Sequence, residues 1–175
     1  MLHEKDQQPD ESFRSALVAT LPRLRRFCAS ISGGVDAGDD LLQATVERAL
    51  SRAEQWQQGT RLDSWLFRIA QNISIDLSRS RASRGQQVDA EVLEQRVGDD
   101  GRVVTEQRSD LAVARRAMAA LPEEQRMVMA LVAIEGLSYR EAADLLCIPI
   151  GTVMSRLARA RASIDNAVHG TNGRD

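Results

Sequence analysis

Between Phe13 and Ile31, apolar side chains fall at Phe13, Leu17, Leu21, Leu24, Phe27 and Ile31. These intervals of three and four put them on one stripe of an α-helix. Pro22 lies inside the stretch and predicts a kink or a restart, because it lacks the amide N–H that the helix ladder uses. Beyond Ser32-Gly33-Gly34, the positions Leu42, Val46, Ala49 and Ala53 predict a second helix. Asp36, Asp39 and Asp40 stand at its start, where the helix dipole favours negative charge. A third helix follows Gly59 and carries Leu62, Leu66, Ile69, Ile73 and Leu77. Three such stripes bury one shared core.

From Gly85 to Asp110 the periodicity fades, and seven acidic residues stand against three arginines, a pattern that reads as an acidic linker. Periodicity resumes with Leu111, Ala114, Met118 and Leu121. Pro122, Glu123 and Glu124 then suit the first turn of a helix through Met127, Leu131 and Ile134, with Gly136 as its left-handed stop. Ser138 and Glu141 form a Ser-x-x-Glu capping box. It opens a short helix with Ala142, Ala143 and Leu146 inside, ending at Cys147-Ile148-Pro149. The last helix, about 151–167, turns Val153, Leu157, Ala160 and Ile164 inward. The expected fold class is all-α, two small helical domains joined by an acidic linker.

Composition narrows the function classes. Apolar residues make up 43% and charged residues 27% of 175 residues, ordinary for a globular chain and too apolar for a disordered one. Basic charge is almost entirely arginine, Lys5 being the one lysine. Arginine forks onto phosphate and carboxylate, although genome base composition also favours it. Cys28 and Cys147 lie in separate apolar helical patterns, which argues against a disulfide, a metal site or a catalytic thiol. No apolar run approaches the length of a membrane span, and the first residues are too polar for a signal peptide, so a cytoplasmic protein without membrane insertion is expected. His3 and His169 sit near the termini, and no nucleophile, base and orienter assemble from the sequence. An enzyme, a metal and a cofactor are therefore not expected.

Three helix faces carry candidate chemistry. Residues 138–161 read as a capped helix, a four-residue turn and a second helix whose outward stripe is Thr152, Ser155, Arg156 and Arg159. Small hydrogen-bonding groups and guanidiniums so spaced suit a DNA major groove, and an ordinary helical hairpin with a solvated face is the plainer alternative. The third helix carries Trp65, Arg68, Asn72, Asp76 and Arg79, continuing to Arg81 and Arg84. An exposed Trp among arginines can stack on unpaired bases, while a Trp packed in the core is the alternative. On the second helix Asp40, Gln43 and Glu47 form an acidic-polar stripe, either solvent-facing or able to dock a basic partner.

The ordered segments Asp36-Ala37-Gly38-Asp39-Asp40-Leu41-Leu42-Gln43, Trp65-Leu66-Phe67-Arg68-Ile69-Ala70-Gln71-Asn72, Leu121-Pro122 with Gly136-Leu137-Ser138-Tyr139-Arg140-Glu141-Ala142-Ala143, and Gly151-Thr152-Val153-Met154-Ser155-Arg156-Leu157 resemble the signatures of extracytoplasmic-function (ECF) sigma factors. The resemblance implies a region 2 domain over residues 10–84, a linker over 85–109 and a region 4 domain over 110–168. It implies core RNA polymerase docked by Asp40, Gln43 and Glu47, and a minus-ten element read by Asn72 with its basic neighbours. A minus-thirty-five element would be read by the recognition helix with Arg140, and an anti-sigma factor is an expected partner. Met154 and Thr45 depart from the pattern, standing where a basic and an acidic residue are common, and Cys147 replaces a frequent glycine.

The two promoter elements expected from the resemblance lie about two duplex turns apart, roughly 70 Å. A flexible coil the length of residues 85–109 averages about 25–30 Å and reaches about 85 Å when fully extended. The linker is therefore expected to be drawn out on polymerase, with the two domains close together in the free protein. A helix-turn-helix repressor or activator would leave the first domain unexplained. A sigma-like decoy for an anti-sigma protein is expected to carry a receiver domain, for which this length leaves no room.

Overall fold

The computed structural model describes residues 10–83 and 106–170. Among these residues the chain forms seven α-helices: α1 Glu11–Ser32, α2 Val35–Ser51, α3 Leu62–Ser83, α4 Glu106–Ala120, α5 Glu123–Met129, α6 Tyr139–Leu146 and α7 Ile150–His169. A 3-10 turn, Ala53–Gln55, follows α2, and a π turn, Ala130–Ile134, prolongs α5. Helix α4 begins at Glu106, so the last four residues of the segment read as linker are helical; the rest of that segment, and Arg84 before it, lie outside the described residues.

Helices α1, α2 and α3 pack as an N-terminal unit. Most of the first apolar stripe is buried, at Phe13, Leu17, Leu24, Phe27 and Ile31, while Leu21 is only half-buried. Phe27 meets Phe67 of α3 at 4.4 Å between ring centroids. Helix α1 runs through Pro22 without the expected restart. Pro22 sits on the exposed face, and Val18, whose carbonyl loses its helical donor, is 64% exposed, so water can satisfy that carbonyl.

The inner face of α2 differs from the expected one. Gly38, Leu41, Thr45 and Ala49 are buried, whereas Leu42 and Val46 only flank the core. The cause is the closeness of α1 and α2. A Cβ added at Gly38 would lie 2.5 Å from the Ala29 Cα and 2.8 Å from its N, so at this point the helices cross backbone against backbone and only a glycine fits. Thr45 satisfies its buried hydroxyl by donating to the Leu41 carbonyl at 2.6 Å.

Helices α4 to α7 form the C-terminal unit around Val128, Leu131, Ala142, Val153, Leu157 and Ala160. The capping box is present: the Glu141 N–H donates to Ser138 Oγ at 3.2 Å, and the Ser138 N–H donates to Glu141 Oε2 at 2.8 Å. Helix α5 does not continue as a plain α-helix. It widens into the π turn, where the Glu135 N–H donates to the Ala130 carbonyl at 2.9 Å, before Gly136 takes a left-handed φ of 72°. A wider turn holds later side chains back around the axis, so Ile134 ends 36% exposed and Glu135 points inward. Between α6 and α7 the turn is three residues, 147–149, and Cys147 adopts φ 54° and ψ 43°. It is the one non-glycine residue with positive φ among the described residues.

The two units are packed together, and their buried apolar side chains form one continuous cluster. Two substitutions test this account. Gly38→Ala is expected to destabilise the chain by about 1–3 kcal/mol, because the added methyl meets backbone that cannot rotate away; this outweighs the helix-propensity gain of about 1 kcal/mol. Cys147→Gly is expected to stabilise it by about 1 kcal/mol by relieving the left-handed residue. Thermal and denaturant unfolding check both signs.

Candidate nucleic-acid interface

Helix α7 is the second helix of a helix-turn-helix, held by Val153, Leu157 and Ala160 on its buried side. Ser155 and Arg159 are exposed, and Thr152 is half-buried. Arg156 is turned to the flank, where it pairs with Glu124 of α5, and its side chain keeps 22% exposure. Met154 is 53% exposed beside Ser155, so the departure from a basic residue falls on the outward surface. Arg140, on α6, is exposed as well.

Arg68, Asn72, Asp76 and Arg79 share an exposed stripe on α3, and Arg81 is exposed beyond it. Trp65 is not the free platform expected of an exposed ring. It is half-buried and meets Phe13 edge-on at 6.2 Å, and Phe13 also contacts Trp56 at 5.6 Å. The ring has a packing duty, because the start of α1 must be covered where the N-terminal unit closes.

On α2, Asp40, Gln43 and Glu47 lie exposed on one face, with Gln43 Nε2 donating to Glu47 Oε1 at 3.0 Å. Asp39 turns to α1 instead and accepts two hydrogen bonds from Arg25, each 2.8 Å. That hydrogen bonding holds its carboxyl below the usual carboxylate range. Thr45 is buried and belongs to the α1–α2 contact, so its departure from an acid does not subtract from this exposed stripe.

The two domains were expected to lie close together in the free protein, but apart from Arg68 the side chains that join them were not among the expected site residues. Glu135 has no exposed side-chain surface. It accepts from Arg23 Nε at 2.8 Å and from Arg26 at 3.1 and 3.2 Å, and its backbone carbonyl accepts from Arg23 Nη2 at 2.6 Å. Arg23 also pairs with Asp63 and lies over the Phe67 ring at 5.4 Å. Arg61 bridges Asp63 and Glu141, and Arg68 Nη2 donates to the Asp144 carbonyl at 3.0 Å. Burial pushes the Asp63 carboxyl up, but hydrogen bonds from Arg61 and the Ser64 N–H, with the Arg61 and Arg23 charges, leave it below its ordinary value. One signal was available in the sequence: Glu135 follows Leu131 by four, an acid on an otherwise apolar helical stripe.

The buried Cys28 thiol is pushed up to about 12 by burial, which keeps it protonated and unreactive. Among the described residues no group of three or more His, Cys, Asp or Glu could hold a metal, and no helix is long and apolar enough to cross a membrane.

Two helical units on one chain, one of them carrying a helix-turn-helix, define a sigma-like architecture, and comparison with known proteins agrees. Residues 111–164 match the family described as Sigma-70, region 4, and residues 17–71 match the Sigma2 domain of PhyR. The ECF RNA polymerase sigma factor EcfG of Rhodopseudomonas palustris is 34% identical over 88% of this chain and 83% of its own. The ECF RNA polymerase sigma-E factor of Salmonella typhimurium is 28% identical over 96% of this chain and 93% of its own. The sigma factor RpoE of Bartonella quintana, solved in complex with the anti-sigma factor NepR, superposes with a TM-score of 0.74 at 29% identity, covering 91% of this chain and 98% of that one. The chain belongs to the ECF sigma factors of the sigma-70 family.

Arg159→Ala is expected to weaken binding to duplex carrying the upstream element. A base-reading arginine costs about 1–3 kcal/mol and relaxes specificity at one position, whereas a phosphate-holding one weakens all sequences alike and makes the salt slope shallower by about one. Arg156 must first leave Glu124, so Glu124→Gln is expected to tighten the same binding. Anisotropy titrations over a salt series measure both, and unchanged affinity in both Arg159→Ala and Arg156→Ala would remove α7 from DNA reading.

Proposed function

We infer that the chain attaches to core RNA polymerase in the cytoplasm and directs it to a set of stress-response promoters, working by binding rather than by chemistry. The N-terminal unit acts as region 2. Its exposed stripe Asp40, Gln43 and Glu47 docks the polymerase, and Arg68, Asn72, Arg79 and Arg81 engage the minus-ten element. Asn72 holds an extruded base, and contacts to duplex and polymerase offset the few kcal/mol that unstacking costs. The C-terminal unit acts as region 4, with Arg140, Thr152, Ser155, Arg156 and Arg159 at the minus-thirty-five element. Carrying this reading is the pairing, on one chain of this family, of two separate polar helix faces, on α3 and α7. An anti-sigma factor is the expected inhibitor, since the Bartonella relative was solved with one.

A decoy that captures an anti-sigma factor is a second reading, favoured by the match of residues 17–71 to the Sigma2 domain of PhyR. The PhyRSL–NepR complex of Sphingomonas supports it too, superposing with a TM-score of 0.57 at 26% identity over 87% of this chain and 86% of that one. Transcription by purified core polymerase from a matched promoter, with and without the chain, separates the two: a sigma factor yields transcripts and a decoy yields none. Asp40→Arg with Glu47→Arg is expected to impair co-purification with core polymerase while leaving duplex binding intact. Retention of core by that double variant would place docking elsewhere.

A further inference from the structure

Four arginines of the N-terminal unit converge where the two units meet, and each satisfies an oxygen acceptor of the C-terminal unit. Arg23 and Arg26 hold Glu135, Arg61 reaches Glu141, and Arg68 donates to the Asp144 carbonyl. From their own unit, Asp63 supplies a carboxylate to Arg23 and Arg61. Separation of the units would therefore leave four guanidiniums facing water beside one carboxylate. Such forked donors fit phosphate as well as they fit carboxylate.

We propose that Arg23, Arg26, Arg61 and Arg68 form a docking surface for DNA backbone phosphates, and that Glu135 and Glu141 occupy the phosphate positions while the chain is closed. Two further observations support the assignment. The plug is buried and the ring around it is not: the Glu135 side chain has 0% exposure, whereas Arg23 and Arg26 keep 32% and 56%. Arg68 also belongs to the exposed stripe of α3 with Asn72 and Arg79, so the surface extends that stripe towards α1. DNA binding and opening then become one exchange, in which each must favour the other by the same factor. Naming DNA as the ligand rests on the proposed function; the existence of the covered arginine surface does not.

The test compares the full chain with Glu135→Gln, and with Glu135→Gln carrying Arg23→Gln and Arg26→Gln. Small-angle X-ray scattering reports compactness, and anisotropy of a labelled random-sequence duplex over a salt series reports phosphate contacts. Glu135→Gln is expected to expand the chain and tighten duplex binding several-fold. The triple variant is expected to be equally expanded but to lose the gain, with a salt slope shallower by about two, one for each phosphate contact removed. Should Glu135→Gln lose its helical circular dichroism, Arg26→Gln alone decides: its side chain is more than half exposed, and it is expected to expand the chain without tightening DNA binding. The proposal is overturned by a folded Glu135→Gln chain as compact as the parent, by an expanded one with unchanged duplex affinity, or by a triple variant that binds as Glu135→Gln does. If opening instead strengthens only the hold on core polymerase, the surface belongs to that partner and the proposal fails. Transcription by the parent chain is the separate check on the sigma reading. A transcribing parent whose variants all match it sinks this inference alone, whereas a silent parent with the expected variant behaviour sinks only the promoter role.

Discussion

A carboxylate removed from water must be met by opposite charge and hydrogen bonds. Glu135 is such a group, and its partners lie 109 and 112 residues away on α1. Its demand organises the meeting of the two units. The π turn lies just before Glu135, and there Ile134 is left 36% exposed while the acid is buried. Arg23, once committed to Glu135, is steadied below by the Phe67 ring and beside by Asp63. A buried ion pair of this kind contributes little net stability compared with apolar packing, yet it is costly to break by removing one partner. That is the energetic profile of a contact that specifies an arrangement rather than one that holds up a fold.

Helix α1 serves two neighbours at once. Its apolar stripe, Leu17 to Ile31, builds the N-terminal core, and Arg23 and Arg26, interleaved with Leu24 and Phe27, face the other unit. Because the two faces share one rigid element, the arginines cannot be repositioned without disturbing the contact between Phe27 and Phe67.

Helix count, order and caps were legible because each rests on local rules: a period of three and four, a proline in a first turn, a Ser-x-x-Glu box, a glycine stop. What was misread rests on contacts between elements. Leu42 and Val46 looked like the inner face of α2, but Gly38, Leu41, Thr45 and Ala49 hold that place, and at Gly38 α1 comes too close for any side chain. Pro22 looked like a break, but Val18, whose carbonyl it leaves without a helical donor, is exposed. For Trp65 the two alternatives could not be separated by spacing, because the residue that packs against its half-buried ring, Phe13, lies more than fifty residues earlier in the chain. For the candidate site, spacing alone put Asp40, Gln43 and Glu47 on one helix face, and they lie exposed together on α2. The arginine cluster between units was not legible in this way, since no periodicity links Arg23 to Glu135.

The backbone contact between Gly38 and Ala29 has a mechanical consequence. With no side chain between them to act as a cushion, α1 and α2 form a single stiff plate. The acidic stripe on α2 and the arginines on α1 are features of that one plate. A protein that grips the stripe therefore takes hold of the arginines' carrier as well, and any displacement it imposes is transmitted without slack.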